Sequence, residues 1–232
     1  MSYSHLSAYS DDATSVPTQP IIENKSRSRA SRIVKRFMDL GIAVAALLVC
    51  WPVLAALCLL IYAQDRKNPI FVQERYGQRG RVFRCFKLRT MVPDADKRLE
   101  ALLSANPEAA REWQSDHKLR NDPRIMPLGR LLRKTSLDEL PQLVNVIKGD
   151  MSIVGPRPIV RAEIEKYGIC FAYYVQTRPG ITGLWQVGGR NDVSYEHRVA
   201  LDAKYAQEWS VLGDFIILLK TVPAIFSRRG AY

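Results

Sequence analysis

Two adjacent carboxylates, Asp138 and Glu139, stand in the run LLRKTSLDELPQLVNVIKGDMSIVGPRP, with Arg133 and Lys134 before them and Arg157 after. An ionised aspartate among cations can attack a phosphorus atom, and a neighbouring glutamate can ligate a hard cation such as Mg²⁺ that neutralises phosphate oxygens. The same residues have a plainer reading. Ser136 and Glu139 have the spacing of an S-x-x-E capping box, and Asp138 suits the positive end of a helix. Pro141 complicates that alternative, because it would fall inside the helix the box begins, so the turn around Asp138 is either a short separate one or a kinked one.

Other side chains can serve the same chemistry. Arg157 lies between Pro156 and Pro158, which fix the backbone on either side, so its guanidinium fork can be aimed at a phosphate at little ordering cost. Lys87 and Arg89, in CFKLRTM, put two cations on one side of a strand, where the plain alternative is a solvated face. Gln186 and Arg190 belong to RPGITGLWQVGGRNDVS, a Gly- and Pro-rich segment suited to a tight loop near a ligand or simply to a cluster of turns. Trp185 and Tyr195 are read as core residues. Cys50, Cys58, Cys85 and Cys170 form no C-x-x-C pair and have no histidine near them in sequence, which argues against zinc and for a reducing compartment.

These groups need a scaffold. IFVQERYGQRGRVFRCFKLRTM reads as two short strands joined through Gly77 to Gly80. A helix follows from about Asp94 with Leu99, Leu102 and Leu103 on one face, and Asn106 with Pro107 starts the next. Upstream, Leu40 to Tyr62 carries no charged residue and as a straight helix reaches roughly 34 Å, about one bilayer core. Basic residues flank it on both sides: Lys25, Arg27, Arg29, Arg32, Lys35 and Arg36 before, Arg66 and Lys67 after. Such flanks suit anionic headgroups and place both ends on the cytosolic side, while Pro52 divides the run into halves of about one leaflet each. A bent, re-entrant helix satisfies both constraints, and a spanning helix kinked at Pro52 stays the alternative, since proline kinks are common in spanning helices. WSVLGDFIILLKTVPAIFSRR, interrupted by Asp214, Lys220 and Pro223, fits an interfacial helix.

The expected architecture is α+β and predominantly helical, in three parts. Residues 1–30 form a disordered tail, residues 31–65 a membrane segment broken at Pro52, and residues 66–232 a cytosolic, membrane-associated catalytic domain with a short β-hairpin. The net charge of +11 on 232 residues favours partners that carry phosphate. Two non-enzymatic readings compete: a basic membrane-tethered nucleic-acid-binding protein and a membrane scaffold. Against the first, the basic residues are spread through the chain and form no nucleic-acid motif, so nucleic acid is not an expected partner.

The stretches KRFMDL, CFKLRTM, DPRIMPLGRLLRKTSLDELPQLVNVIKGDMSIVGPRP and RPGITGLWQVGGRNDVSY resemble the bacterial sugar transferases, the small monotopic phosphoglycosyl transferases. The resemblance covers nearly everything from about Arg32 onward and is nearest to the ExoY-type enzymes that begin exopolysaccharide repeat units. It implies that Asp138 attacks the β-phosphate of a UDP-sugar, releases UMP, and passes the bound sugar phosphate to undecaprenyl phosphate. It further implies Glu139 as the Mg²⁺ ligand, and Arg157, Lys87, Arg89 and Arg133 as phosphate cations. Gln186 and Arg190 would lie toward the sugar nucleotide, and Pro52 would form the re-entrant break. Trp51 departs from the pattern, since relatives often carry Ser before that proline. Galactose is the first expectation for the sugar and glucose the second. The implied location is the bacterial inner membrane, and a homodimer is compatible with such an enzyme.

Overall fold

The computed structural model describes residues 28–116, 119, 122–188 and 194–226. All but the last three residues of the expected tail lie outside the described residues. A single helix, α1, runs from Arg29 to Asp65; the Ser28 hydroxyl accepts the Ser31 N–H at its start, and Arg66 closes it at φ 57. Pro52 sits inside it, so the expected helix-break-helix is corrected to one continuous helical backbone. Proline removes only the bond its own N–H would have given to the carbonyl of Leu48, and the Ala- and Leu-rich flanks carry the helix through. Ala43, Leu47, Leu54, Leu57 and Ile61 form its inward stripe, whereas Leu48 and Val49 are 69% and 77% exposed.

Two of the flanking cations also depart from expectation. Lys35 and Arg36, read as headgroup contacts, turn inward. Lys35 donates to Asp214 (2.6 Å) and to the carbonyl of Val154 (3.1 Å). Arg36 donates to the carbonyls of Val146 and Ile147 at 2.7 and 2.9 Å, filling acceptors that a helix C-terminus leaves open. A buried partner outcompetes water for a guanidinium or ammonium once the carbonyl or carboxylate would otherwise be unsatisfied.

The hairpin is present as β1 (Ile70–Tyr76) and β2 (Val82–Leu88), paired antiparallel from Ile70 opposite Leu88 to Tyr76 opposite Val82. Helices α2 (Ala95–Ala105) and α3 (Pro107–Asp116) follow, with Asn106 Oδ1 accepting the N–H groups of Glu108 and Ala109. Next come α4 (Pro127–Thr135), a 3₁₀ turn at Leu137–Glu139, and α5 (Gln142–Lys148). The remaining elements are β3 (Ser152–Val154), α6 (Arg161–Tyr167), α7 (Phe171–Tyr174), β4 (Gly180–Thr182), α8 (Leu184–Gly188), α9 (Tyr195–Glu208) and α10 (Val211–Phe226). Strands β3 and β4 pair in parallel. Gly180 permits the close approach beside them, since a Cβ there would lie 2.1 Å from the backbone nitrogen of Gly155.

The main core joins Ala43 of α1, Phe83 and Cys85 of β2, Leu143 and Val146 of α5, Ile153 of β3, Tyr205 of α9 and Ile217 of α10. Helix α10 is one-sided: Asp214 and Ile217 are buried, while Leu212, Phe215, Leu219 and Val222 are exposed. Asp214 accepts from Lys35, Tyr205 (2.8 Å) and Trp209 (2.9 Å), tying α1, α9 and α10 together.

Removing one member of such a buried pair leaves the other uncompensated, at a cost of about 3–5 kcal/mol. Asp214→Ala should therefore lower the apparent Tm of the detergent-solubilised protein by at least about 5 °C. Lys204→Ala, which removes only the exposed 3.9 Å pair with Glu208, should move it by less than about 1 °C. Equal shifts would mean that Asp214 does not anchor the helices.

Candidate active site

An open cleft of about 860 Å³ runs between the hairpin, the 3₁₀ turn and the α8–α10 side of the fold. Asp138 and Glu139 line it, together with Lys87, Arg89, Arg133, Arg157 and Gln186. The structure thus brings seven of the eight expected polar site residues to one cavity. Arg190 lies outside the described residues, and Pro52 lies on the exposed surface of α1.

The capping alternative fails on geometry. Ser136 closes α4 in a left-handed conformation (φ 56), and its side chain makes no cap bond to the turn that follows. Glu139 is turned away from Ser136 and accepts from Lys87 Nζ at 2.7 Å. Pro141 does not interrupt a helix, because the turn carrying Asp138 ends before it and α5 starts after it. The S-x-x-E spacing therefore delivers two carboxylates into the cleft.

The carboxylates differ in proton affinity. Burial, with the charge of Glu139 added, pushes the Asp138 carboxyl up to about 6 against the opposing pull of Lys87 and Arg133. Burial pushes Glu139 up too, but the charge and hydrogen bond of Lys87, helped by Arg157 and Arg75, outweigh it and hold that carboxyl below its ordinary range. Near neutral pH Asp138 is ionised, at 9% exposure, with little water to shield it. That is the condition of an activated oxygen nucleophile.

The cations have distinct attachments. Lys87 comes from the end of β2, on the same face as Phe83 and Cys85. Arg133, from the last turn of α4, donates Nε to the Thr90 hydroxyl at 2.9 Å. Gly129 on that helix allows the approach: a Cβ would lie 2.1 Å from the Thr90 carbonyl oxygen. Arg157 lies with its guanidinium 5.9 Å from the Trp185 ring centre. Arg89 lines the cleft but donates to both carboxylate oxygens of Asp65, at 2.5 and 2.7 Å, and to the carbonyls of Asn68 and Lys67. Its charge is spent on the end of α1.

Arg75 was missed. It lines the cleft at 8% exposure, donating to the Pro158 carbonyl (2.9 Å) and to Gln73 Oε1 (2.5 Å). Strand alternation carried the signal: in the observed register Phe71, Gln73 and Arg75 share a face with Lys87, and all four line the cleft. Trp185 is buried, as expected, and also closes the end of the cavity beside Gln186.

Among the described residues no group of three or more His, Cys, Asp or Glu side chains forms a metal site. Mg²⁺ does not require one, since it is commonly held by one or two carboxylates together with substrate phosphates and water. Asp138 and Glu139 supply hard oxygen donors of that kind, with Lys87 bonded to Oε1 of Glu139 only. The donor set fits the ion.

Residues 30–228 match the bacterial sugar transferase family. The chain is 48% identical over 213 residues to the UDP-galactose-lipid carrier transferase of Erwinia amylovora, covering 91% of this chain and 44% of that protein. It is 46% identical over 200 residues to the exopolysaccharide production protein ExoY of Sinorhizobium fredii, covering 86% and 88%. It is also 46% identical over 211 residues to the undecaprenyl-phosphate galactose phosphotransferase of Salmonella typhimurium, covering 91% and 44%. It thus spans under half of two of these relatives and most of the third. The chain belongs to the bacterial sugar transferase family, and it is an enzyme of that class.

The raised Asp138 carboxyl has a consequence for stability. Its folded value of about 6 exceeds the ordinary carboxylate value, so folding favours the protonated form. The cost of ionising it is absent below about pH 4, grows as pH rises, and is complete above about pH 6. Asp138→Asn removes that cost. It should raise the apparent Tm at pH 7.5 by about 2–4 °C, with a gain that shrinks toward pH 5. A lower Tm in the variant at pH 7.5 would show that the carboxylate is not strained.

Proposed function

We propose that the chain transfers a hexose 1-phosphate from a UDP-sugar to undecaprenyl phosphate, as the first step of exopolysaccharide repeat-unit synthesis. The observation that carries this is the pairing in one cleft of a buried carboxylate, Asp138, with a second carboxylate tied to Lys87, among Arg133, Arg157 and Arg75. Two carboxylates facing a larger number of cations fit a doubly charged diphosphate.

The Asp138 carboxylate attacks the β-phosphorus, forming an aspartyl–phosphorus bond, and the bond from that phosphorus to the bridging oxygen breaks. UMP leaves with the electron pair. The sugar phosphate remains on Asp138 until a phosphate oxygen of the polyprenyl phosphate attacks the same phosphorus and displaces the carboxylate. Glu139 and Asp138 would hold Mg²⁺, which when bound offsets the negative charge of the phosphate oxygens. Arg157, Lys87 and Arg133 orient the diphosphate and stabilise the charge that develops on it. Galactose is the favoured sugar, in line with the names of the Erwinia and Salmonella relatives, and glucose is second.

A lipid acceptor requires the cleft to open at a membrane surface, and the attachments of α1 support a one-sided placement. Near its N-terminal end Lys35, Arg36 and Asp39 bond to α10, α5 and β3; near its C-terminal end Asp65 pairs with Arg89 and Ile61 packs on Leu88 and Leu132. Both ends are held by the same polar body, which cannot lie on both sides of a bilayer. The exposed apolar middle of α1 and the exposed face of α10 then enter the cytosolic leaflet of the inner membrane. Pro52 lies on the face opposite the inward stripe, where loss of its hydrogen bond opens the helix and favours a bend toward the body.

Purified protein with Mg²⁺, undecaprenyl phosphate and UDP-galactose should release UMP. Asp138→Ala should reduce release by at least about 10³-fold and Glu139→Gln by at least about 10²-fold. Normal turnover in Asp138→Ala would eliminate the covalent step. For topology, single cysteines at Arg29 and Lys67, placed in a variant lacking the four native cysteines, should both resist an impermeant maleimide in intact cells. Labelling of just one would indicate a spanning helix.

A further inference from the structure

Thr90 enters the cleft wall two residues after β2, and its backbone is pinned there. Its carbonyl accepts the Met126 N–H at 3.0 Å; just beyond it Met91 bridges antiparallel to Ile125, and the Val92 N–H donates to the Arg124 carbonyl at 2.9 Å. The side chain is 7% exposed and lines the cleft. Its hydroxyl oxygen accepts Nε of Arg133 at 2.9 Å, the one hydrogen bond that the Arg133 side chain makes among the described residues.

A hydroxyl carries one proton and two lone pairs, and it turns to suit its partners. Here a guanidinium N–H occupies the oxygen, so the proton points away from Arg133, and among the described residues it meets no acceptor. A buried O–H left without an acceptor carries a free-energy cost, which an arriving anionic oxygen removes. Accepting from a cation also polarises the O–H and makes it a stronger donor. Arg133, for its part, keeps both terminal nitrogens for the diphosphate. The hydroxyl proton is left for a second anion.

The setting of Thr90 says which anion. Leu88, Met91, Val92, Pro93 and Leu137 flank it in the lining, and three of these, Leu88, Val92 and Leu137, pack with Leu54, Leu57 and Ile61 of α1 in one apolar cluster. This wall is continuous with the membrane helix, near the end where Arg66 lies over the ring of Tyr62, an aromatic of the kind that sits at headgroup level. A lipid whose chain stays beside α1 reaches this wall with its phosphate. We infer that Thr90 is a binding residue for the acceptor: with its oxygen held by Arg133, its hydroxyl donates to an oxygen of the polyprenyl phosphate as that phosphate enters the cleft. The inference rests on the reading of the cleft as a site of sugar-phosphate transfer to a lipid.

The test uses the full-length enzyme in detergent with UDP-galactose and undecaprenyl phosphate. Because the sugar phosphate stays on the enzyme between the two steps, kcat/KM for each substrate reports its own half-reaction. Thr90→Val keeps the side-chain shape without the hydroxyl; it should lower kcat/KM for undecaprenyl phosphate by about 10- to 100-fold and that for UDP-galactose by no more than about 3-fold. Thr90→Ser restores the O–H and should recover most of the loss; Thr90→Ala replaces the valine variant where that folds poorly. Equal losses for the two substrates would mean that Thr90 only steadies Arg133, and a serine variant as poor as the valine one would mean that the methyl group matters. Either result overturns the inference and leaves the transfer reaction standing. Binding is read in parallel, as the rise in apparent Tm with undecaprenyl phosphate and with UDP. A wild-type protein that releases no UMP, yet binds undecaprenyl phosphate and loses that binding in Thr90→Val, would keep the site and overturn the reaction.

Discussion

A carboxylate that is nearly out of water, next to a second carboxylate, remains ionised near neutral pH only if cations stand close enough to hold it so. Asp138 is in that position, and its proton affinity measures the balance: burial and Glu139 raise it, Lys87 and Arg133 lower it, and the result is about 6. The charge of Lys87 and its 2.7 Å bond, helped by Arg157 and Arg75, hold Glu139 below its ordinary range beside it. The cost of crowding two acids into one 3₁₀ turn is therefore met by side chains from other elements. Lys87 comes from the end of β2, Arg133 from the end of α4, Arg157 from the turn after β3, and Arg75 from β1. Much of the fold is a means of bringing those four to one place.

The long helix takes part in this. Asp39 accepts from the Ile153 N–H (3.0 Å) and the Ser152 hydroxyl (2.9 Å), and Lys35 holds the Val154 carbonyl, so the N-terminal half of α1 fixes the strand that leads directly into the Arg157 turn. At its other end Asp65 holds Arg89, two residues beyond Lys87. Each end of the helix thus secures one wall of the cleft. A segment that the composition presents as an anchor is also the frame that sets the distance between the two groups of cations.

Local patterns made part of this legible. The hairpin followed from two β-rich runs around Gly77 and Gly80, and the junction of α2 and α3 from Asn106 and Pro107, because turn and cap chemistry act over a few residues. Asp138 and Glu139 stood out by charge and by the misplaced Pro141. Pairings across long intervals left no such trace. Nothing near Arg89 in sequence announces Asp65, nothing near Lys35 announces Asp214, and so both cations were read as facing phosphate or lipid when a carboxylate already held them. Arg75 was hidden differently: its face is decided by strand register, which becomes visible only when Lys87 is known to point inward. Pro52 marked a weak point in α1, yet a single lost hydrogen bond does not outweigh the helix-forming residues on either side.

The arrangement also bears on why the plain capping motif and the chemical one coincide in the residues Ser136 to Glu139. A cap must lie at the start of a turn with its polar groups turned back to the backbone. Here the left-handed Ser136 ends one helix so abruptly that the next turn leaves in a new direction, and its carboxylates face outward into the cleft. The backbone N–H groups that a capping box would satisfy are bonded otherwise: Ser136 donates to the Arg133 carbonyl and Glu139 to the Ser136 carbonyl, at 3.2 Å each. Freed of that duty, Glu139 can pair with Lys87 and Asp138 can remain unshielded. One residue at positive φ, by redirecting the chain, converts a helix-starting sequence into an acidic pair held at the mouth of a cationic cleft.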